Sequence, residues 1–486
     1  MNEGAFRKAL VVLIITGILV KIVISFENGI SDPDTWWHLA AGKYMITNQA
    51  IPHHDIFSWT VAGEPWITHE WLSEVLFYLF YLAGKFYGVL FLILLLSTAL
   101  MVFYWKLLSR PRDSFFIAAL TLLVTGELLA PFIEIRPQVI SYLFFMVFLY
   151  VLYSFVQDKK DNLFVLPLLT VLWTNSHGSF FLGPVLVILF IVCGFYRPQT
   201  GEGRITHYQL KKSETTKLIT VLILCLLAVL INPNGSKLLL YPLQTLGDSQ
   251  MTDNIQEWLS PDFHDLYYQV FLAYYLMTFL TLVITPKRIQ LVDLLLYLIF
   301  GIAAFLHIRF IAYVLLISGL LWSRYFVIRF SPKLSLSRLK AAAIPVLIAL
   351  YAIALVKSAP PQTAIDYKFT PKDGFFPVEA LTYLKANPLT GKMLNDYGWG
   401  GYLIWNRPEE KVFIDGRADV YMKQVFGDYR KITRLKPGAD ELLDKYKIDY
   451  AFLPSDAPLV EALRFSPHWS VLYEDKKAAV LLKKST

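Results

Sequence analysis

The sequence predicts a polytopic α-helical membrane protein with a small α/β domain at its C-terminal end. Of its 486 residues, 56% are hydrophobic and only 17% are charged, and the mean hydropathy is +0.48. A single water-soluble core cannot bury so large an apolar fraction. Cys193 and Cys225 both lie inside apolar runs, so the sequence indicates neither a disulfide framework nor a cysteine metal site.

The spans are predicted from the length of the apolar runs. About eleven runs are long enough to cross a hydrocarbon layer of roughly 30 Å. They lie near residues 9–26, 86–105, 114–133, 138–156, 163–176, 179–196, 217–232, 267–285, 289–306, 309–325 and 341–357. No small-residue cleavage site follows the first run, which favours a retained signal-anchor helix. The segment 70–84 is short and carries Glu70 and Glu74, so we expect it to lie in the membrane interface.

The basic residues predict the orientation. If the segment 70–84 does not cross the membrane, all the basic segments fall on the same side of the membrane as the N-terminus. They are Arg7/Lys8, Lys106/Arg110/Arg112, Lys159/Lys160, 197–217, Lys287/Arg288 and 324–340. Basic loops stay in the cytoplasm, so the N-terminus is expected there and the C-terminal domain outside. The net charge of +7 is therefore explained by topology and by contact with membrane lipids, and no nucleic-acid partner is expected.

Three regions are expected along the chain. Residues 1–357 form the transmembrane domain, whose first outer loop, 27–85, contains juxtamembrane helices; 358–374 is a Pro-rich linker; and 375–486 is an extracytoplasmic α/β domain. In that domain, strand-like and helical patterns alternate. The strand-like runs are KVFIDG (411–416), DYAFLP (449–454) and AAVLLK (478–483), and the helical ones are PVEALTYLKAN (377–387) and ADELLDKYK (439–447).

The first outer loop opens with SDPDTWWHLAAGKY, residues 31–44. Asp32 and Asp34 are two carboxylates two residues apart, an arrangement that suits a general base or the ligands of a divalent metal. The structural alternative is that Asp34 caps the helix that follows, a role that needs only one of the pair. Tryptophans are frequent nearby and fit an aromatic belt at the membrane surface. They are Trp36, Trp37, Trp59, Trp66 and Trp71.

Further candidates lie at the expected outer ends of later spans. Arg136 in EIRPQ and Arg309 in LHIRF each open a span, and an arginine at membrane depth is costly enough to be a functional candidate. Helix N-termini pointing at the same side would favour an anion such as a lipid phosphate. His177 occupies the tight turn WTNSHGSF, where a structural role and a catalytic role both stay open. His69 and Glu70 are expected on the same face.

Two other polar motifs favour structural roles. His53, His54 and Asp55 in IPHHDIFSWT match no metal motif, so a loop-stabilising network is expected there. The stretch DGRAD, 415–419, is expected to form a turn in which Asp415 pairs with Arg417.

The stretch DPDTWWHLAAGKY, with IPHHDIFSWT behind it, many spans and an outer C-terminal domain, resembles the GT-C superfamily of polyprenyl-phosphate-dependent glycosyltransferases. The likeness is to the bacterial branch similar to dolichyl-phosphate-mannose-protein mannosyltransferases. It implies an inverting transfer, on the outer face of a bacterial inner membrane, from a polyprenyl-phosphate sugar donor to a lipid, glycan or protein acceptor.

The resemblance also implies roles for individual residues. Asp32 or Asp34 would be the general base, and the substrate-binding residues would be Arg136, Arg309, His177, His69 and Glu70. The family's acidic pair is often Asp-Glu without a spacer, whereas this chain has Asp-Pro-Asp. The choice of base therefore stays open, as does a requirement for Mg²⁺ or Mn²⁺, for which Asp32 and Asp34 would be the ligands.

Two other classes of protein are compatible with this pattern. A transporter or lipid flippase usually buries charge near the bilayer midplane and often shows paired repeats, and Lys21 in the first span is the main charge of that kind here. A non-catalytic assembly subunit for surface-polysaccharide export would use the outer domain for docking.

Overall fold

The computed structural model describes residues 3–26, 29–110, 115–196, 203–327, 374–421 and 424–484. The expected span 341–357 and nearly all of the linker 358–374 lie outside these residues. The chain forms two compact units, each assembled from separate stretches of sequence. Unit 1 comprises 1–27, 90–231 and 254–366, and unit 2 comprises 28–89, 232–253 and 367–486.

The described helices, in chain order, are α1 (Glu3–Ser25), α2 (Asp34–Asn48), α3 (Trp71–Leu108), α4 (Phe115–Leu129), α5 (Gln138–Asp158), α6 (Val165–Thr174), α7 (Leu182–Phe195), α8 (Lys212–Ala228), α9 (Lys237–Gly247), α10 (Ser249–Asn254), α11 (Leu266–Ile284), α12 (Leu291–Leu306), α13 (Ile311–Tyr325), α14 (Val378–Ala386), α15 (Gly400–Asn406), α16 (Ala418–Tyr421), α17 (Val425–Thr433), α18 (Ala439–Tyr446) and α19 (Pro458–Arg464). The strands are β1 (Ile205–Thr206), β2 (Ile289–Gln290), β3 (Met393–Asn395), β4 (Tyr450–Pro454), β5 (Trp469–Glu474) and β6 (Ala478–Lys483).

The long apolar helices confirm the polytopic helical architecture. Among the described residues, seven helical segments are long and apolar enough to cross a membrane. They are Glu3–Ser25, Trp71–Leu108, Phe115–Phe132, Gln138–Asp158, Gly178–Phe195, Leu266–Ile284 and Ile308–Tyr325. The helices α6 and α12 are apolar but shorter, and they coincide with two further predicted spans. The total of eleven stays a prediction.

Helix α3 contains a break at the position where the sequence separates 70–84 from the next span. Gly84 and Lys85 have non-helical dihedrals, and the φ of Lys85 is 53°, in the left-handed region. Two helical segments therefore meet at this point, as the sequence predicts.

The centre of unit 1 is helix α5, most of whose residues are buried. Polar groups inside this unit pair with one another. Arg324 donates to both carboxylate oxygens of Asp293, at 2.7 and 2.6 Å, and Tyr325 donates to the same carboxylate at 2.5 Å. An unpaired charge among apolar helices is costly, and here the guanidinium and the carboxylate offset that cost for each other.

Unit 2 contains a mixed sheet in the order β3-β4-β6-β5. Strand β3 runs parallel to β4, whereas β4 and β5 both run antiparallel to β6. The predicted strands 449–454 and 478–483 and the predicted helices 377–387 and 439–447 are confirmed as β4, β6, α14 and α18. Strands β3 and β5 were not predicted.

The predicted strand KVFIDG, 411–416, is wrong. The segment makes only an isolated bridge to Ser58, in which Val412 donates to the carbonyl of Phe57 and accepts from Trp59 N–H. The side chain of Asn395 accepts the next backbone N–H, that of Phe413, at 2.7 Å. The segment is extended, but loop and side-chain groups satisfy its backbone.

Helix α2 lies in the interior of unit 2, where α15 packs against it. Trp36, Trp37 and Trp66 are only 3%, 7% and 4% exposed, so the predicted aromatic belt is wrong for these three residues. Trp36 makes edge contacts with the rings of Phe86 and Tyr402. Residues near the start of α2 thus share a core with C-terminal residues, because apolar rings from both stretches need burial.

Candidate functional site

The two aspartates of DPD have different environments. Asp32 is buried, its Oδ1 accepts the backbone N–H of Asp34 at 3.0 Å, and its Oδ2 accepts the hydroxyl of Thr35 at 3.3 Å. These bonds satisfy donors at the start of α2, so Asp32 performs the capping role that the sequence assigned to Asp34. Asp34 is the first residue of α2.

Asp34 is half-buried, and its Oδ1 accepts the indole N–H of Trp37 at 3.0 Å. The DGRAD loop lies directly against this carboxylate. A Cβ on Gly416 would fall 1.9 Å from Asp34 Oδ1, so glycine at this position lets the carboxylate keep the place it occupies. The DPD and DGRAD motifs, which are far apart in the sequence, are therefore neighbours in the structure.

Arg417 anchors the DGRAD loop. Its guanidinium donates to Asp415 at 2.8 and 2.6 Å, which confirms the predicted pair, and also to Asp55 Oδ1 at 2.7 Å. The side chains of all three residues are fully buried, and the guanidinium lies over the ring of Trp66, 4.5 Å from its centroid. Burial alone would lower the pKa of Arg417, but the adjacent carboxylates raise it well above its usual value, so the residue stays charged.

Asp55 also organises its own loop, as the sequence predicts. Its Oδ2 accepts the backbone N–H and the hydroxyl of Ser58, at 3.0 and 2.7 Å. The neighbouring His53 and His54 are exposed.

A second polar cluster joins α2 to the start of α3. His38 Nδ1 lies 3.2 Å from Glu74 Oε1, and His38 Nε2 lies 3.9 Å from Glu70 Oε2. Among the described residues, these three form the one group of at least three His, Cys, Asp or Glu side chains whose ligand atoms all lie within 4.8 Å of one another. Asp32 and Asp34 are not in the group, so a metal-binding role for that pair stays a prediction.

His69 adjoins this cluster. Its Nδ1–H donates to the carbonyl of Ile67 at 3.1 Å, and its Nε2 lies 3.7 Å from Glu70 Oε1. Its ring packs against Tyr241, whose hydroxyl donates to Asp419 at 3.5 Å. Burial raises the pKa of Asp419 above its usual value, although His69 and Arg417 act in the opposite direction.

In unit 1, Arg136 and Arg309 share an environment with Glu257 and Trp258. Arg136 forms an ion pair with Glu257, and the Arg309 guanidinium lies over the Trp258 ring, 4.2 Å from its centroid. Burial raises the pKa of Glu257, but Arg136 and Arg309 lower it by more, so the net shift is downward and the carboxylate stays ionised.

His177 has a structural environment. It is buried, and its Nδ1 accepts the backbone N–H of Ser179 at 3.3 Å, which caps the short 3-10 helix Gly178–Phe181. The same nitrogen lies 2.7 Å from Ser141 Oγ, which in turn accepts the indole N–H of Trp173.

The structure places Asp32, Asp34, His69 and Glu70 in unit 2, whereas Arg136, His177 and Arg309 belong to unit 1. Four polar residues that join these two groups of residues were not predicted as site residues: His38, Glu74, Asp419 and Glu257. The sequence did contain a signal for Glu74, because it follows Glu70 by four residues and so lies on the same helix face. No local pattern marks His38, which reaches the cluster from another helix.

Two kinds of protein show the same architecture. The Archaeoglobus fulgidus oligosaccharyltransferase, tethered to an acceptor peptide, matches with a TM-score of 0.58 at 11% sequence identity, over 99% of this chain and 74% of that one. The same enzyme with an inhibitory peptide and a dolichol-phosphate matches with a TM-score of 0.55 at 11% identity, over 91% and 69%. With Zn and sulfate it matches with a TM-score of 0.51 at 11% identity, over 96% and 73%.

The mycobacterial arabinofuranosyltransferase AftD matches with a TM-score of 0.51 at 13% identity, over 99% of this chain and 42% of that one. The GT-C fold predicted from the resemblance is thereby confirmed. No protein-family model matches the chain, and no curated protein sequence matches it.

Proposed function

We propose that this protein is a membrane glycosyltransferase that moves a sugar from a polyprenyl-phosphate donor to a lipid, glycan or protein acceptor. The observation that carries the proposal is the GT-C architecture, which extends along 99% of the chain and is shared with an oligosaccharyltransferase. A structure of that enzyme in complex with a dolichol-phosphate supports a lipid-phosphate donor here. The distribution of basic segments supports a reaction on the outer face of the membrane, and the resemblance of the DPDTWWHLAAGKY stretch supports a bacterial inner membrane.

Asp34 is the general base in this proposal. Both oxygens of Asp32 accept local hydrogen bonds at the start of α2, which gives that residue a structural task. Asp34 is more exposed, and it lies at the helix start beside the DGRAD loop. Its carboxylate would take the proton of the acceptor hydroxyl while that oxygen attacks the anomeric carbon. The bond from this carbon to the phosphate oxygen would break, and the polyprenyl phosphate would leave with inversion.

Trp37 and Gly416 support this role. The indole N–H of Trp37 fixes the orientation of the Asp34 carboxylate through Oδ1, and Gly416 leaves room for it. His69 and Glu70, in the same unit, are proposed to contact the substrate, because the two polar side chains lie together and are only partly buried.

Arg136 and Arg309 are proposed to bind the lipid phosphate. Glu257 holds Arg136 in an ion pair, and the Arg309 guanidinium, which lies over the Trp258 ring, would supply positive charge to the anion. Charge-assisted hydrogen bonds from guanidinium groups suit phosphate oxygens. A separate measurement tests this role: Arg309→Met should raise the KM for the donor more than it lowers kcat.

Transfer of radiolabelled sugar from polyprenyl-phosphate donors tests the main proposal. Purified protein in lipid nanodiscs is supplied with membrane extract as acceptor, with and without Mg²⁺ or Mn²⁺. Asp34→Asn should lower kcat by a factor of about 10²–10⁴, the contribution typical of a general base. Asp32→Asn is the matched control. Asparagine is also a good helix cap, so this variant should keep most of its activity.

Two results would contradict the proposal. If no donor is consumed under conditions in which the archaeal oligosaccharyltransferase turns over, the function is wrong. If Asp32→Asn abolishes transfer while a folded Asp34→Asn protein retains it, the function stands and the assignment of the base is wrong.

A further inference from the structure

We infer that His38, Glu70 and Glu74 bind one divalent transition-metal ion of the Zn²⁺ or Mn²⁺ type. This inference concerns a ligand set separate from the Asp32 and Asp34 pair. It does not depend on the proposed function, because its test measures bound metal instead of sugar transfer.

The first argument is the arrangement of the donor atoms. One atom from each of the three side chains lies within 4.8 Å of the others. Ligand atoms about 2.1 Å from a common ion lie about 3–4 Å apart, so binding requires side-chain movements of about 1 Å. The ring of Trp37 lies 3.7 Å from the His38 ring, centroid to centroid, and limits the freedom of the imidazole.

The second argument is an unsatisfied oxygen. Glu74 is only 1% exposed, and its Oε1 lies 3.2 Å from His38 Nδ1. Its Oε2 is buried and has no hydrogen-bond partner among the described residues. A buried carboxylate oxygen without a partner is costly, and an ion bound between the three side chains would remove that cost.

The third argument is charge. Glu70 and Glu74 lie together, and Asp419 is close enough to act electrostatically on Glu74. Arg417 acts on Glu74 in the opposite sense, but it is already bound to Asp55 and Asp415. When both glutamates are ionised and the imidazole is neutral, the three side chains carry a charge of −2, which a divalent ion balances.

The backbone is also built to bring the ligands together. His38 and Gly42 are one helical turn apart on α2, and a Cβ on Gly42 would fall 2.1 Å from the carbonyl oxygen of Glu74. Glycine at this position therefore lets α2 and α3 approach closely beside the contact between His38 and Glu74. Asp34 lies one turn before His38, so the ion would be about one helical turn from the proposed base.

The type of ion follows from the donors. One imidazole nitrogen and two carboxylates suit Zn²⁺ or Mn²⁺, whereas Mg²⁺ and Ca²⁺ prefer oxygen ligands alone. A protonated His38 held between two glutamates is the competing state, and it would need no metal.

The experiment measures metal content on the full chain, purified in nanodiscs without a polyhistidine tag. The protein is stripped with a chelator, equilibrated with Zn²⁺ or Mn²⁺ and analysed by elemental mass spectrometry. We expect one ion per chain, and at least tenfold weaker binding in His38→Gln and in Glu74→Gln. The matched control is the double variant His53→Gln/Glu64→Gln, which removes an exposed histidine and an exposed glutamate of the same unit and should bind normally.

Absence of retained metal at micromolar free ion, or unchanged binding in both cluster variants, would overturn the inference. If the variants do not fold, electron paramagnetic resonance of Mn²⁺ bound to the wild type decides the question. Labelling histidine with ¹⁵N should change the coupling of a single nitrogen ligand, and coordination by oxygen alone would refute the role of His38. A protein that binds the ion but transfers no sugar would support this inference and contradict the proposed function.

Discussion

Replacing Arg417 by alanine should cause a large loss of stability in unit 2. The substitution leaves two fully buried carboxylates, Asp55 and Asp415, without the guanidinium that contacts each within 3 Å. Removal of one partner from a buried ion pair costs about 3–5 kcal/mol, because the remaining charge has lost water as well as its partner. For a unit of about 200 residues, this corresponds to a decrease in Tm of roughly 6–20 °C.

The assay is thermal unfolding in nanodiscs, followed by proteolysis at sites in unit 2. The control is Lys483→Met, which removes an exposed ion pair with Asp444 and should cost less than about 1 kcal/mol. A second variant separates charge from packing: Arg417→Met combined with Asp55→Asn and Asp415→Asn leaves no buried charge and should recover much of the loss. If Arg417→Ala is no less stable than Lys483→Met, the reasoning is refuted.

Two further predictions concern the close contact between Gly42 and the backbone of Glu74, and the pH dependence of the ion pair formed by Glu257. Gly42→Ala places a Cβ against the carbonyl of Glu74 and should cost about 1–3 kcal/mol, whereas Gly84→Ala has open space and should cost less than about 0.5 kcal/mol in the same melting assay. Glu257 has a lowered pKa in the folded protein, so its ionisation contributes stability that is present above the unfolded value near 4.5 and is lost as the pH falls through the folded value. The Tm of the wild type should therefore fall further than the Tm of Glu257→Gln between pH 6 and pH 3. Parallel curves of Tm against pH would show that the ion pair with Arg136 contributes nothing to stability.

The spanning helices could be predicted from the sequence because the membrane imposes a length and an apolar composition on each one. The turn DGRAD was predictable for a different reason: Asp415 and Arg417 are only two residues apart, so their pairing is a local contact. The contact of Arg417 with Asp55 was not predictable, because those residues are separated by most of the chain and no periodicity relates them.

The candidate site also combines local contacts, which the sequence displays, with contacts that form only when distant segments pack. The spacing of Glu70 and Glu74 is a helical spacing that the sequence displays, but His38 becomes their neighbour only when two helices pack. The sequence likewise showed two aspartates beside a helix start without showing which would cap it. That choice depends on hydrogen-bond geometry, which places both oxygens of Asp32 within reach of donors in α2.

Unit 2 is completed only late in synthesis. Its first stretch ends at residue 89 and its last begins at residue 367, so at 5–20 residues per second roughly 15–55 s pass between them. Throughout that interval the loop that carries Asp55 exists without the arginine that neutralises it, and α2 exists without α15. A chain stopped between residues 325 and 417 would contain every described apolar helix long enough to cross a membrane, and its Asp55 loop would still lack the arginine that pairs with it.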